Sequence, residues 1–436
     1  MSQNAGSSYT RELKVFDAAM VVVGGIIGAG IFLGPAVVAE RVGTPGLVLA
    51  VWTLGGIIAL LGGLCFAELG ARRPQAGGGY IYLHETFGPL TAFLYGWIML
   101  LVSNTGGIAA VAVIFASYAS ALLHLGDGAI VPLAVGAIAL LTLVNYLGIK
   151  PGSITQNIFT VLKIAAVLLL TGAGLVLARS APPVEAITTP PDNLLEAVGA
   201  ALIPVLFACS GWQHINDVAG EVSRPQRTLP RALLLGIAIT MACYLLVNVA
   251  YIGALGMTGL IASKAPASEV MRALWGETGA AIMAAGIACS TFGFVNLIIM
   301  ANARMVQAMA ENGAFFRGAA RLHPRYQTPA LALVVQGAWA ILLVLWGTYD
   351  QLLNYSVFGD WLAFGLVAAT LFVYRRRTAE TTFRTPGYPI VPVLFILACA
   401  YAVVSTVLSS PRDAGFGTLL ILAGVPVYYA WRRASR

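Results

Sequence analysis

The chain has 436 residues, of which 59% are hydrophobic and only 10% are charged, and its mean hydropathy is +0.84. A water-soluble domain of this size would expose too much apolar surface with so few charges, so its solvent must be largely lipid. The net charge of +7 is explained by membrane topology and contact with anionic lipid, and it indicates no nucleic-acid partner.

Twelve apolar runs follow one another along the chain, and most have the roughly 20 residues needed to cross a bilayer. They cover residues 15–38, 45–70, 87–121, 129–148, 153–178, 194–220, 231–255, 277–311, 328–347, 351–374, 389–409 and 415–431. The connections leave no room for a soluble domain. The sequence therefore predicts an all-α integral membrane protein with 12 transmembrane helices, embedded in the lipid bilayer.

The distribution of basic residues predicts the orientation. With the N-terminus inside, 19 of the 25 lysines and arginines fall on the cytoplasmic side and five fall outside, while Lys163 lies within a span. This asymmetry follows the positive-inside rule. We therefore expect the tails, residues 1–14 and 432–436, in the cytoplasm. The polar N-terminus lacks the pattern of a cleaved signal peptide, so the first span should be retained.

Glycine-rich interruptions occur in two of the runs, at Gly24–Phe32 (GGIIGAGIF) and Ala208–Trp212 (ACSGW). A helix in lipid tolerates a break only where the freed backbone groups face protein, water or a ligand. The breaks lie near the starts of two predicted five-helix repeats of opposite topology, residues 15–178 and 194–374, which precede helices 11 and 12 (389–431). Paired breaks of this kind indicate a substrate site near the bilayer midplane.

The backbone groups at the breaks suggest the ligand. N–H groups at Ala29–Ile31 and beyond Gly211 form positive helix ends that suit a carboxylate. Unwound carbonyls around Ile26, Phe207 and Ala208 can accept hydrogen bonds from an ammonium group. Such a site fits a zwitterion, and an α-amino acid has that shape. The alternatives are that water satisfies these groups, or that the glycines only permit close helix packing.

Lys163 is the most informative single residue. It lies ten positions beyond Ser153, about 15 Å along the helix at 1.5 Å per residue, and so near the midplane. An ionisable group at this depth usually faces a cavity or a partner. Two interpretations remain open: Lys163 loads and releases a proton, or it is a permanent cation that bonds to carbonyls of the first and eighth helices.

Other side chains near the breaks are candidates for gating. Asp360 lies among apolar residues of the tenth run, either as a functional intramembrane carboxylate or in a wet vestibule. Glu221, beside the arginine-rich segment 221–231, could close an inner gate by pairing with an arginine. The aromatic gate candidates, each of which could instead serve only packing, are Phe207, Trp212, Phe358 and Trp361.

The sequence gives little support to other classes of protein. Five cysteines all lie in apolar runs, where we interpret them as packing residues, and four histidines are scattered over separate segments. We find no metal-ligand spacing and no nucleophile constellation, so we expect no metal, no cofactor and no enzymatic activity. A channel would need a continuous polar path, but few ionisable residues lie within the predicted spans. A receptor would need a sizeable sensing domain, and the connections leave no room for one.

Five segments carry a family resemblance, and they occur in order across nearly the whole chain. They are GGIIGAGIF (Gly24–Phe32), GGGYIYLHETFGPLTAFLYGW (Gly77–Trp97), QNIFTVLKI (Gln156–Ile164), GWQHINDVAGEVSRPQRTLPRAL (Gly211–Leu233) and ARMVQAMAENGAFF (Ala303–Phe316). Together they resemble the amino acid–polyamine–organocation superfamily, and within it most closely the L-type amino acid transporter family and its bacterial homologues. The resemblance implies a LeuT-like fold of two inverted five-helix repeats plus two helices, working by alternating access.

The resemblance also implies roles for individual residues. The amino group binds the carbonyls of Ile26 and Phe207, and Phe207 also acts as an outer gate. Lys163 takes the place that sodium fills in sodium-coupled relatives, which implies sodium-independent transport. Many members of the family are obligatory exchangers. The positions matching the carboxylate-binding stretch are Gly28, Ala29 and Gly30.

Two departures from the family pattern concern selectivity and partners. Ala29 lacks the hydroxyl of many relatives, and Cys209 and Ser210 replace a commoner aromatic–small pair before Gly211. Loop 122–128 lacks the cysteine by which animal members bond a heavy subunit, so we expect no disulfide-linked heavy subunit. The leading hypothesis is a bacterial inner-membrane exchanger of neutral L-amino acids. The alternative is a proton-coupled amino acid or polyamine symporter that uses Lys163.

Overall fold

A computed structural model describes residues 9–180, 193–347, 349–377 and 381–434 of the chain. The outermost parts of the two predicted tails, residues 1–8 and 435–436, lie outside the described residues. Across the described ranges the protein is helical, and the one β-type contact noted there is an isolated bridge between Leu13 and Val222. The all-α prediction is confirmed.

Sixteen α-helices follow one another through the described ranges. They are α1 (Val15–Ile26), α2 (Gly30–Val42), α3 (Pro45–Arg72), α4 (Gly78–Phe87), α5 (Pro89–Ile98), α6 (Asn104–Leu123), α7 (Ile130–Tyr146), α8 (Ile149–Ser180), α9 (Leu194–Ala208), α10 (His214–Asp217), α11 (Pro225–Ala262), α12 (Pro266–Glu311), α13 (Ala330–Trp346), α14 (Tyr349–Arg377), α15 (Ile390–Ser409) and α16 (Pro411–Ala434). A π-helical turn, Met99–Ser103, joins α5 to α6 within one span.

The helices agree with the predicted number of spans. Within the described residues, nine helical segments are long and apolar enough to cross a bilayer, and the bent pair α1 and α2 forms a tenth span. Two shorter apolar helices, α9 and α13, complete the twelve. Many of their large apolar side chains are exposed on the outside of the bundle, where lipid replaces water as the solvent.

The first span is broken where the sequence predicts it. Helix α1 ends at Ile26, Ile27 adopts an extended conformation, and α2 begins at Gly30. The two halves are bent by 41°. Helix α2 therefore starts in the middle of the bundle, and the N–H groups of its first turn point into the break.

The sixth span is broken at Cys209–Gln213, between α9 and α10. Gly211 supplies the turn, because its φ of +101° lies in the left-handed region that favours glycine. A Cβ atom on either Gly25 or Gly211 would collide with the backbone oxygen of the other. The two broken spans therefore cross with their backbones in direct contact.

Candidate functional site

The unwound turn of the first span is partly accessible. Gly28, Ala29 and Gly30 are partly accessible, although they lie in the interior of the bundle between fully buried neighbours. The Gly28 N–H donates to the Ile26 carbonyl at 2.9 Å, and the Phe32 N–H donates to Ala29 at 3.1 Å. The stretch predicted to bind a carboxylate is thus accessible, beside the start of α2.

Tyr244, on α11, joins the two breaks. Its hydroxyl lies 2.9 Å from the Ile26 carbonyl oxygen and 3.1 Å from that of Ala208, and the side chain is buried. One hydroxyl hydrogen can serve only one of these acceptors at a time. Two of the carbonyls predicted to accept from an ammonium group therefore share a single donor from the protein.

Lys163, on α8, lies behind the unwound turn of the first span. Its side chain is fully buried, and Nζ donates to the carbonyls of Gly24 at 3.0 Å and Ile27 at 2.8 Å. Both hydrogen bonds go to the first span, as the permanent-cation interpretation predicts, whereas its predicted contact with carbonyls of the eighth span is not found among the described residues. From α12, the Ser290 hydroxyl approaches the carbonyls of Ile27 and Gly28 at 3.3 Å.

Backbone groups at the sixth-span break are bonded within the break itself. The Phe207 carbonyl accepts from the Ser210 hydroxyl at 2.8 Å and from the Ser210 N–H at 3.3 Å. The Gly211 N–H donates to the side-chain oxygen of Gln213 at 2.8 Å. A substrate that uses the Phe207 carbonyl or the Gly211 N–H must share or replace these local hydrogen bonds.

The four aromatic gate candidates occupy different surroundings. Phe207 is 41% exposed and lines a cleft of about 1060 Å³ between α9 and α15. Phe358, Trp212 and Trp361 are buried. The Trp212 ring lies 5.9 Å from that of Phe364, and the Trp361 ring lies 5.6 Å from it. In this conformation only Phe207 is free of dense packing.

A buried ion pair lies beside residues 9–13, at the end of the bundle where the described residues begin. Arg304, on α12, donates two hydrogen bonds of 3.0 Å to the carboxylate of Glu221, and both side chains are buried. The sequence singled out Glu221 for pairing with an arginine, but its partner comes from the eighth span rather than from segment 221–231.

Residues 9–13, here called the N-terminal strap, lie across this ion pair. Backbone N–H groups of Glu12 and Leu13 donate to the Glu221 carbonyl at 2.9 Å. Tyr9 lies against the guanidinium of Arg304 and donates to the side chain of Gln307 at 2.9 Å. Burial raises the pKa of the Tyr9 phenol well above its ordinary value, so the hydroxyl remains a donor.

A second buried charge cluster at the same end was missed by the sequence reasoning. Glu68, on α3, accepts from Arg375 of α14 at 2.9 and 2.6 Å, from the Thr385 N–H at 2.7 Å and from Arg72. The Arg375 guanidinium also stacks 3.9 Å from the centre of the Tyr388 ring. Only the pair of Glu68 with Arg72 is local in sequence, whereas Arg375 and Thr385 lie 307 and 317 residues from Glu68, so no local motif indicates the cluster.

Cysteine and metal chemistry find no support in the parts of the chain that the structure describes. The five cysteines are free thiols, four of them buried and Cys289 half-buried. In the same ranges no three His, Cys, Asp or Glu side chains are grouped so that they could hold a metal ion.

Comparison with known proteins places the chain in a family. Residues 13–430 match the family described as amino acid permease. The chain is 30% identical to the serine/threonine exchanger SteT of Bacillus subtilis over 429 residues, which cover 97% of each protein. It is 32% identical to the human b(0,+)-type amino acid transporter 1 over 438 residues, covering 97% of this chain and 88% of the relative.

The similarity extends to a further group of transporters. The mouse Asc-type amino acid transporter 1 is 32% identical over 437 residues, which cover 97% of this chain and 82% of the relative. These matches confirm the predicted resemblance to the amino acid–polyamine–organocation superfamily, and they are to transporters rather than enzymes. The chain is a multi-pass membrane protein that belongs to the amino acid permease family.

Proposed function

We propose that the chain is a sodium-independent exchanger of neutral L-amino acids that works by alternating access. The observation that carries the proposal is the ammonium group of Lys163, bonded to the carbonyls of Gly24 and Ile27 beside the unwound turn. A fixed cation already satisfies acceptors that a transported metal cation would otherwise ligate. The exchanger names of several relatives support the same function.

The proposed binding mode uses both breaks. The substrate carboxylate faces the half-buried stretch Gly28–Gly30 and the positive N-terminal end of α2. The substrate ammonium faces the carbonyls of Ile26, Phe207 and Ala208, with Ser210 and Gly211 lining the sixth-span side. Tyr244 already contacts the carbonyls of Ile26 and Ala208. It therefore orients these two carbonyls toward the substrate ammonium group.

The conformation fits one end state of alternating access. Glu221, Arg304 and the N-terminal strap close one end of the bundle, while Phe207 is exposed in the cleft toward the opposite end. We assign the closed end to the cytoplasm, because 19 of the 25 basic residues then lie inside. Residues 15–178 and 194–374 are the two repeats that move relative to each other, with 389–431 as an added pair of helices.

We place the protein in the inner membrane of a bacterium, working without a disulfide-linked heavy subunit. Loop 122–128, which lies outside in this orientation, contains no cysteine that could form the bond. The purified chain alone should therefore be active after reconstitution into liposomes.

Counterflow in liposomes tests the proposal. Vesicles loaded with a neutral L-amino acid should take up the labelled amino acid without sodium, and empty vesicles should not. An imposed pH gradient across empty vesicles separates the alternative, a proton-coupled amino acid or polyamine symporter that uses Lys163. Uptake driven by that gradient alone would favour symport and overturn exchange.

A further inference from the structure

A small cavity lies between the first turn of α4 and the ends of α12 and α16. Its volume is about 170 Å³, and the residues that line it include Tyr80 of α4, Asn312 just after α12, and Tyr428, Trp431 and Arg432 of α16. The transport cycle proposed above uses none of these side chains. We call this space the interfacial cavity.

The interfacial cavity lies at the level where the apolar core of the bilayer meets the lipid headgroups. The apolar span of α16 covers residues Ala414–Arg433, so Trp431 and Arg432 belong to its last turn. The Trp431 indole N–H donates to the Gly313 carbonyl at 3.1 Å, and its ring lies edge-on 4.9 Å from that of the exposed Phe316. Tryptophans and the ends of basic side chains concentrate at this level of a membrane. A ligand in the cavity would therefore lie beside the headgroups.

The hydroxyl of Tyr80 is a buried donor without a partner. The side chain is fully buried, and within the described part of the chain its oxygen forms no hydrogen bond. The phenol of Tyr428, which lines the same cavity, is close enough to act on it electrostatically, and burial raises the pKa of Tyr80, so the hydroxyl keeps its proton. Because buried hydroxyl groups normally have a partner, this one indicates a ligand that accepts a hydrogen bond.

The charge on the wall of the cavity favours an anion. Arg432 is the one charged residue among those that line it. Its guanidinium forms no ion pair with an acidic side chain of the described ranges. An arginine that is not engaged with a carboxylate can bind two oxygens of a phosphate group at once.

The negative end of α12 does not oppose an anion here, because its last carbonyl groups are already bonded. Those of Ala308, Met309 and Ala310 accept from the backbone N–H groups of the three residues that follow the helix. Trp431 donates to the carbonyl of Gly313. A phosphate group in the cavity would therefore meet the two unused donors, the Tyr80 hydroxyl and the Arg432 guanidinium.

We propose that the interfacial cavity binds the phosphate group of an anionic membrane lipid, with Tyr80 and Arg432 as the donors. Large apolar side chains of α16, among them Leu419 and Leu422, are exposed on the same span and provide a surface for the acyl chains of lipid. Such a site holds the ends of α4, α12 and α16 together at the membrane surface. It is independent of the amino acid site and of the proposed function.

Thermal unfolding of the purified protein in a neutral detergent tests this proposal. The probe is dioctanoyl-phosphatidylglycerol, and dioctanoyl-phosphatidylcholine is the comparison, because its headgroup has no net charge. We expect the anionic lipid to stabilise the wild-type protein at concentrations about tenfold lower than the neutral one. Tyr80→Phe and Arg432→Gln should each weaken binding of the anionic lipid about tenfold, the usual effect of a hydrogen bond to a charged group.

Two controls separate lipid binding from folding and from general charge attraction. Without lipid, Tyr80→Phe should unfold at the wild-type temperature or above it, because the hydroxyl that it removes has no partner in the described protein. Arg433→Gln removes the same charge one residue further along α16, outside the cavity lining, and should bind the anionic lipid like the wild type. Equal losses in Arg432→Gln and Arg433→Gln would overturn the proposal.

The wild-type protein alone can also overturn the proposal, whether or not the variants fold. Equal stabilisation by the two lipids would mean that the cavity does not select an anion. Inorganic phosphate at the same concentration should have little effect, and stabilisation equal to that by phosphatidylglycerol would overturn the assignment to a lipid. No amino acid is present in these measurements, so their result does not depend on whether the protein exchanges amino acids.

Discussion

The hydroxyl of Tyr244 lies 2.9 Å from the carbonyl oxygen of Ile26, and this contact attaches the seventh span to the unwound turn of the first. The same hydroxyl reaches Ala208 in the sixth span. A single side chain therefore links both breaks, at the point where the regular helical hydrogen bonding of each span ends.

Tyr244→Phe should destabilise the protein by about 1–3 kcal/mol, because it removes the buried hydroxyl donor that the carbonyl groups of Ile26 and Ala208 share. A lower thermal midpoint in detergent measures the effect. Tyr251→Phe is the matched control, since the Tyr251 hydroxyl reaches the Ile31 carbonyl at the longer distance of 3.4 Å. Equal losses in the two variants would contradict a special role for Tyr244.

Lys163→Met should weaken amino acid binding at least tenfold and abolish counterflow, because the carbonyls of Gly24 and Ile27 lose a charged donor. Thr160→Val, one turn away, removes a hydrogen bond of 3.2 Å to the Met20 carbonyl and should have a smaller effect. Titration calorimetry and counterflow measure the two quantities. Unchanged affinity and transport in Lys163→Met would remove this lysine from the mechanism.

Glu221→Gln should destabilise the closed conformation by about 3–5 kcal/mol, because it leaves the buried charge of Arg304 uncompensated. The exchanged pair, Glu221→Arg with Arg304→Glu, should recover part of the loss. As a control, Arg272→Gln breaks an exposed pair with Glu277, which should change stability by about 0–1 kcal/mol. Thermal unfolding compares the variants, and equal effects at the two sites would contradict the proposal that the Glu221–Arg304 pair stabilises the closed end.

A comparison of Gly25→Ala with Gly28→Ala distinguishes two roles of glycine in the first break: close packing of the backbone at Gly25, and contact with the substrate at Gly28. A methyl group at Gly25 would collide with the Gly211 carbonyl, so this variant should fold poorly or not at all. At Gly28 the nearest atoms belong to the Phe294 ring, 3.7 Å away. Gly28→Ala should therefore fold normally but bind amino acids more weakly.

The yield of folded protein and its stabilisation by amino acids measure the two effects separately. If Gly28→Ala bound amino acids like the wild type, the carboxylate site would have to lie elsewhere. If Gly25→Ala folded with normal stability, close backbone contact with Gly211 would not be required for the packing of the broken spans.

Local sequence patterns were sufficient to predict the broken helices. Glycines within apolar runs predict the interruptions near Ile27 and Gly211, because those patterns are properties of a few neighbouring residues. The depth of Lys163 likewise follows from counting along one helix. The choice of an all-α membrane fold follows from composition alone.

Contacts between distant segments could not be predicted in the same way. Tyr244 and Ser290 look like ordinary residues of apolar helices, and only the packing of α11 and α12 against the first span gives them a role. Similarly, Glu221 has arginines nearby in sequence but pairs with Arg304, more than eighty residues away. Trp212 and Trp361 resembled gates in sequence, whereas their surroundings bury both.

The N-terminal strap has a practical consequence for following the transport cycle. Because residues 9–13 are bonded to the loop around Glu221 and to Gln307, separation of α12 from that loop must detach the strap from at least one of them. A fluorophore attached at Thr10 would then change its environment during each transport cycle, which would make the beginning of the polypeptide a reporter of this rearrangement.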